Sequence, residues 1–186
     1  MVELDKRRRD LRDHLLAHAV RTGDFTLKSG RKSSWFIDGK QTACDPIGIR
    51  LIADLVLEEL KDIDAIGGLT MGADPVAYGV AGIGADRGIP IRSFSVRKES
   101  KDHGVEGRIA GALRKGDRVA ITEDVVTRGV SPLRAAEAVR AFGADPVMII
   151  AVVDRGGTCQ ALAAEQGLKF FPLLTANDLG FNFEGP

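Results

Sequence analysis

Along the chain, short runs of aliphatic and β-branched residues alternate with longer stretches whose apolar positions recur every three or four residues. The runs 64–69 (DAIGGL), 89–96 (IPIRSFSV), Val119–Ile121 and 146–153 (PVMIIAVV) have the length of buried strands. A strand without polar alternation suits a parallel sheet covered on both faces, and 146–153, the most apolar, belongs near its centre. Between these runs the pattern predicts helices. One runs from Pro46 to about Lys61, with Asp45 as cap and Ile49, Ile52, Val56 and Leu60 as its buried stripe. Another opens at Asp74–Pro75 and continues to about Asp86. A third takes Ser131 as cap and Pro132 as first residue, and ends at Gly143 in a left-handed turn. A short one spans 157–167, and 169–174 (KFFPLL) reads as an edge strand because Pro172 has no N–H for a ladder.

Ahead of this alternation, residues 3–20 read as an amphipathic helix with Leu4, Leu11, Leu15 and the Ala17–Ala19–Val20 group inward. Phe25–Lys28 and Ser34–Asp38 alternate in character around Ser29–Gly30 and predict a β-hairpin. A hairpin carrying a lysine and aromatic rings suits a hood over a flat anion, or its rings simply pack on the core. The whole pattern predicts an α/β fold, a doubly wound parallel sheet with its site at the C-terminal ends of the strands. Residues 1–44 form the helix-and-hairpin hood, 45–174 the α/β core, and 175–186 a tail completing the hood, all within one domain.

Composition narrows the classes of function. The 186 residues are 44% hydrophobic, and 26 basic residues balance 26 acidic ones, which argues against a nucleic-acid partner. The basic run Lys6–Arg9 lies in a helical pattern interrupted by acids and reads as a solvated face. No apolar stretch approaches the roughly 20 residues that cross a bilayer, so no membrane partner is expected. Cys44 and Cys159 lack metal-type spacing and read as free thiols of a cytoplasmic protein. His14 and His18 are four apart but have no third ligand in view, and read as surface or packing residues.

The candidate chemistry is densest in RVAITEDVVTRGVSP, residues 118–132. A buried strand ends in two acids, Glu123 and Asp124, followed by a turn in which Thr127 and Ser131 flank Gly129. Amides at a helix N-terminus, hydroxyls and a glycine suit a phosphate, while the acids suit the hydroxyls of a sugar. Met71, Gly72 and Ala73, at the mouth of the 64–69 strand, offer backbone amides to a second phosphate group. The long polar stretch 97–111 gathers Arg97, Lys98, Lys101 and His103, which suits a lid closing over a departing anion, or equally a solvated loop. Arg155, following the 146–153 strand, offers a planar fork to a carboxylate, or forms a salt bridge with a neighbouring acid.

The 118–132 segment resembles the phosphoribosyl pyrophosphate (PRPP) motif of type I phosphoribosyltransferases: apolar strand, two acids, two apolar residues, Thr, any residue, Gly, then Thr or Ser. The first acid, often Asp, is Glu123 here. FTLKSGRKSSWFI resembles the N-terminal signature of orotate phosphoribosyltransferases, and the order R-K-x-x-K-x-H-G at 97–104 is similar to their catalytic loop. The resemblance covers nearly the whole chain. It implies the type I phosphoribosyltransferase fold and transfer of phosphoribosyl from PRPP to orotate, giving orotidine 5′-monophosphate and pyrophosphate in pyrimidine (UMP) biosynthesis. By position it implies catalytic roles for Lys98, Lys101, His103 and Asp124. PRPP would be held by Arg97, Lys98, Lys101, His103, Glu123, Asp124, Val125, Val126, Thr127, Arg128, Gly129, Val130 and Ser131. Orotate would be held by Lys28, Phe36, Thr127 and Arg155. It further implies Mg²⁺ without direct protein ligands, and a homodimer in which the lid, with Lys101 and His103, reaches the neighbouring site. The family often carries a lysine shortly after the glycine of the 70–75 loop, and here Asp74, Pro75 and Val76 stand instead. A purine phosphoribosyltransferase would lack the lid order, and a PRPP-sensing regulator would carry a DNA-binding domain for which the residues before the hairpin are too few.

Overall fold

The computed structural model describes residues 5–26, 30, 32–101 and 107–184. A first helix, α1 (Lys6–His18), leads into a hairpin of β1 (Val20–Thr26) and β2 (Lys32–Ile37), then a single-turn helix, α2 (Lys40–Ala43). Strand and helix then alternate through α3 (Pro46–Glu59), β3 (Ala65–Leu69), α4 (Ala73–Asp86) and β4 (Arg92–Lys101). They continue through β5 (Gly107–Gly111), β6 (Arg118–Val126), α5 (Val130–Phe142), β7 (Asp145–Asp154), α6 (Cys159–Glu165) and β8 (Lys169–Thr175). A 3₁₀ turn, Asn177–Leu179, opens the tail.

β3 to β8 make one six-stranded sheet in the order β5–β4–β3–β6–β7–β8. Its pairings are parallel except for β5, which runs antiparallel along β4. Period-two alternation sends Ala120, Ile150 and Val152 to one face, where Leu11, Leu15, Ile52, Val56, Val76 and Val80 cover them. Val119, Ile121, Ile149 and Ala151 go to the other, under Ala135, Val139 and Ala163. Both faces are thus dry, as the unbroken apolar run of β7 requires. Pro172 lies in the edge strand β8, where its missing N–H is harmless.

Several boundaries differ from the sequence expectation, each for a local reason. β6 does not stop at Ile121. β7 is long enough to continue the ladder, pairing Glu123 with Ala151 and Val126 with Asp154, so the acids sit within the strand. β4 begins at Arg92 rather than Ile89 and continues to Lys101, because β5 pairs with it antiparallel and gives the polar residues a ladder. Much of the expected lid is therefore strand. α5 begins two residues early, at Val130, with left-handed Gly129 (φ 75°) as cap, so Ser131 and Pro132 lie inside its first turn. α4 likewise begins at Ala73 with Gly72 as cap, and Asp74 is no cap because its carboxylate is used elsewhere. In the N-terminal helix Ala17 faces solvent and Val20 already belongs to β1, while Leu4 lies outside the described residues.

Other details agree with the pattern. Asp45 caps α3 by accepting the N–H groups of Ile47 at 2.8 Å and Gly48 at 3.0 Å. His14 packs through its ring nitrogens, 3.2 Å from both Thr42 Oγ1 and Asp45 Oδ1. Lys6 pairs with Asp10 and Arg7 with Glu58 on the solvated face of α1. Among the described residues, no helix is long and apolar enough to cross a membrane.

Candidate active site

The two acids of β6 are 7% and 5% exposed. Two glycines make room for them. A Cβ on Gly72 would lie 1.9 Å from Glu123 Oε1 and 2.7 Å from Asp124 Oδ1, and one on Gly39 would lie 2.9 Å from Asp124 Cβ. Asp124 is well partnered: Oδ1 accepts the Val125 N–H at 2.9 Å and Oδ2 accepts Lys40 Nζ at 2.8 Å. Glu123 Oε2 is buried without a hydrogen-bond partner among the described residues. Burial, then the charge and hydrogen bond of Asp124, push the Glu123 carboxyl up to about 8. Burial alone would lower the Lys40 ammonium, but its hydrogen bond to Asp124 and the charges of Asp124, Asp38 and Glu123 outweigh that and raise it. Near neutral pH the cluster is a lysine–aspartate ion pair beside a largely protonated glutamic acid, able both to accept and to donate hydrogen bonds.

The loop after the acids is clamped from the β7 side. A Cβ on Gly156 would lie 1.6 Å from the Thr127 carbonyl oxygen, to which Thr158 Oγ1 donates at 3.1 Å. The Arg155 N–H donates to the Val126 carbonyl at 2.8 Å, and buried Asp154 accepts the N–H groups of Gly156 at 3.1 Å and Gly157 at 2.9 Å. Gly129 packs on Cys159, where a Cβ would meet Sγ at 3.2 Å. No side chain caps α5, so the amide ends of Val130 and Ser131 face the loop.

Across the sheet, Thr70–Gly72 lead from β3 into α4, also without a side-chain cap. Asp74 ties this loop to β4: it accepts Thr70 Oγ1 at 2.7 Å and Ser95 Oγ at 2.6 Å, and Tyr78 hydrogen-bonds the same serine. Met71 stands 67% exposed at its tip. The cation brought to the acids comes from α2, as Lys40.

Arg155 is buried and joins the hood to the core. Its Nη2 donates to Ser33 Oγ at 3.1 Å, to the Trp35 carbonyl at 3.0 Å and to the Glu184 carboxylate. Its guanidinium carbon lies 4.7 Å from the centroid of the Trp35 ring, which stacks on Phe181 at 4.4 Å. Ser33 Oγ also donates to Glu184 at 2.6 Å. The salt bridge with a neighbouring acid, one of the two readings of Arg155, is thus formed, although Nε is buried with no partner among the described residues. Phe36, on the opposite face of β2, is 39% exposed and 5.8 Å from Phe25.

Where β4 meets β5, Arg97 is half-buried, its carbonyl accepting Arg108 Nε at 2.9 Å, and its Nη1 has no partner among the described residues. Lys98 and Arg128 are exposed. Lys101 contributes backbone opposite Gly107. Lys28, His103 and the Lys101 side chain lie outside the described residues. A cavity of about 630 Å³ opens at the other end of the sheet, among Lys61, Asp62, Arg118 and Lys169. It lacks the acid pair and the amide-lined loop, which both lie toward the C-terminal ends of the strands.

No protein-family model matches the chain. It is 41% identical over 157 residues to the orotate phosphoribosyltransferase of Aquifex aeolicus (strain VF5), covering 83% of this chain and 86% of that one. With that of Corynebacterium glutamicum (strain R) the identity is 41% over 177 residues, covering 94% and 95%. The chain belongs to the orotate phosphoribosyltransferase family. The orotate phosphoribosyltransferase of Mycobacterium tuberculosis H37Rv, solved with PRPP, matches with a TM-score of 0.79 at 32% identity, covering 94% of this chain and 99% of that one. The same enzyme solved with Fe(III) dicitrate matches at 0.84 and 35%, with the same coverage.

Within this family member the sequence signals missed two residues. Lys40 follows a glycine in a connection too short for a periodic pattern, and its direction shows in its contact with Asp124. Glu184 lies in a tail without periodicity, and its one sequence signal is being an acid just after Phe183.

Proposed function

We propose that the chain transfers the phosphoribosyl group of PRPP to N1 of orotate, in pyrimidine (UMP) biosynthesis. The C1–O bond to the diphosphate breaks, a C1–N1 bond forms, orotate gives up its N1 proton, and orotidine 5′-monophosphate and pyrophosphate leave. The observation that carries this reading is the buried Glu123–Asp124 pair running straight into the clamped loop 127–131 at the start of α5, in a chain of this family.

The roles follow from the groups present. Val125 to Ser131, with the α5 amides and the Thr127 and Ser131 hydroxyls, hold the 5-phosphate. Glu123 and Asp124 take the ribose hydroxyls, which supply the partner that Glu123 Oε2 lacks. Met71, Gly72 and Ala73 offer backbone to the diphosphate, and Arg97, Lys98, Lys101 and His103 neutralise it as it departs. Phe36, already exposed, lies against the orotate ring, with Lys28 and Thr127 on its polar edge, and Arg155 joins them by exchanging the Glu184 carboxylate for that of orotate. Breaking the C1–O bond leaves a cationic sugar, so positioning and exclusion of water count for more than covalent help.

Mg²⁺ fits this donor set. The site is rich in hard oxygens, and Glu123 and Asp124 would face the ion when the substrate brings it in. When bound it neutralises charge on the diphosphate. The lid acts on the site of a second copy in a homodimer, for which exposed Met71 and Tyr78 offer apolar surface. Residues 1–44 and 175–186 form the hood over the core, and a cytoplasmic setting suits the two free thiols.

The test is orotate consumption, read by its ultraviolet absorbance, with PRPP and Mg²⁺ present and adenine, hypoxanthine and uracil offered in parallel. Loss of orotate alone, abolished by a chelator, is the expected result. Turnover of a purine instead overturns the reading of the hood.

A further inference from the structure

Lys40 has no part in the roles above. It stands on α2, and its ammonium reaches Asp124 Oδ2 at 2.8 Å and Asp38 Oδ1 at 4.0 Å. The contact is built into the backbone. Gly39, just before it, lies so close that a Cβ would meet Asp124 Cβ at 2.9 Å and Oδ2 at 3.1 Å. The acidic groups facing this ammonium are Asp124, Asp38 and the protonated Glu123, and Asp74 acts on Glu123 from the α4 side. Three acids therefore face one cation beside the two loops proposed to take the phosphate-bearing ends of the ligand. The buried, unpartnered Glu123 Oε2 independently points to a ligand group at this spot.

We propose that Lys40 is a positioning residue for the sugar phosphate, holding Asp124 as a charge-balanced, fixed acceptor for the ribose hydroxyls. The inference rests on the PRPP reading of the site. Lys40 holds Oδ2 of Asp124 and the Val125 N–H holds Oδ1, which fixes the carboxylate plane in which a hydroxyl is to be accepted. Lys40 also cancels the local negative charge that would oppose an approaching polyanion. It does the work of a cation at a phosphate loop whose own residues, Met71 to Val76, include none.

Two variants separate charge from shape: Lys40→Met keeps the stem without the ammonium, and Lys40→Arg keeps the charge. Steady-state kinetics with each substrate varied, PRPP binding by calorimetry without orotate, and thermal melting are measured on both and on the unaltered protein. Lys40→Met is expected to raise the KM and Kd for PRPP by about tenfold or more, as loss of a charge-assisted contact does, with the KM for orotate moving by less than about threefold. Lys40→Arg is expected to recover most of the PRPP affinity. An unchanged PRPP affinity in Lys40→Met, or equal impairment of both variants, overturns the inference. So does a parallel rise in both KM values with a lowered melting temperature, which marks a merely structural lysine. If the unaltered protein neither binds nor turns over PRPP, the reading of the site itself fails, which is a different outcome from a failure of Lys40 alone.

Discussion

Gly72 and Glu123 are in contact: the first turn of α4 lies against the carboxylate in the middle of β6, with no space for even a methyl group between them. The loop proposed to offer amides to a diphosphate is thereby fixed directly against the acid proposed to meet the ribose. Gly72→Ala places a Cβ 1.9 Å from Glu123 Oε1, so either the loop or the acid must move. The expected result is a PRPP KM raised by about tenfold or more, since displacements of order 1 Å at a site carry such costs. Kinetics with PRPP varied checks it, and an unchanged KM shows the loop to be irrelevant to the substrate.

The hood hairpin places two aromatic neighbours in opposite roles. Trp35, 1% exposed, stacks on Phe181 and carries the Arg155 guanidinium, whereas Phe36 is 39% exposed. Trp35→Ala is expected to cost about 3–5 kcal/mol in denaturant unfolding, as large-to-small core changes do. Phe36→Ala is expected to cost less than about 1 kcal/mol, as exposed positions do, while raising the KM for orotate. Equal stability losses, or an orotate KM indifferent to Phe36, contradict this division.

Glu123 makes stability depend on pH. Its carboxyl is raised from an ordinary 4.5 to about 8 by burial and by Asp124, so the folded protein holds a proton that the unfolded chain releases. Stability from this group is fully present below the unfolded value and is lost as pH rises toward about 8. In ligand-free protein, Glu123→Gln removes that loss. Its melting temperature is expected to gain on the unaltered protein as pH rises from about 5 to about 8. Parallel melting curves across this range rule out the shift.

The cysteines differ in reach. Cys44 is exposed, while Cys159 is buried under Gly129, and burial followed by the charge of Asp154 pushes its thiol up to about 12. A disulfide-exchange reagent is expected to titrate Cys44 in the folded protein and Cys159 only after unfolding. Rapid labelling of Cys159 in the folded state contradicts the tight seat of the 127–131 loop.

Sequence pattern carried the parts of this fold that depend on periodicity and on local chemistry. The apolar run of β7, the Asp45–Pro46 start of α3, the proline in edge strand β8 and the Gly143 end of α5 are all written in neighbouring residues. What it missed depends on partners distant in sequence. β6 runs through its acids because β7 is there to pair with them, and β4 runs on into a polar segment because β5 returns beside it. Ser131–Pro132 and Asp74–Pro75 both imitate helix starts. In each case the helix begins earlier at a glycine, and the Asp74 carboxylate is drawn to Thr70 and Ser95 instead. The acid pair, the 127–131 loop and Arg155 were legible as types in a pattern, but Lys40 and Glu184 entered the site only through contacts 84 and 29 residues apart in the chain.

The most direct test of the central claim, that the β6 acids and the loop after them hold PRPP, is calorimetric titration of PRPP with Mg²⁺ into the unaltered protein and Asp124→Asn. Asp124→Asn keeps the shape and weakens acceptance of the ribose hydroxyls, so Kd is expected to rise by about tenfold or more, in line with the loss of hydrogen bonds to a charged group. Equal affinity in the two proteins contradicts the account and places the sugar phosphate elsewhere.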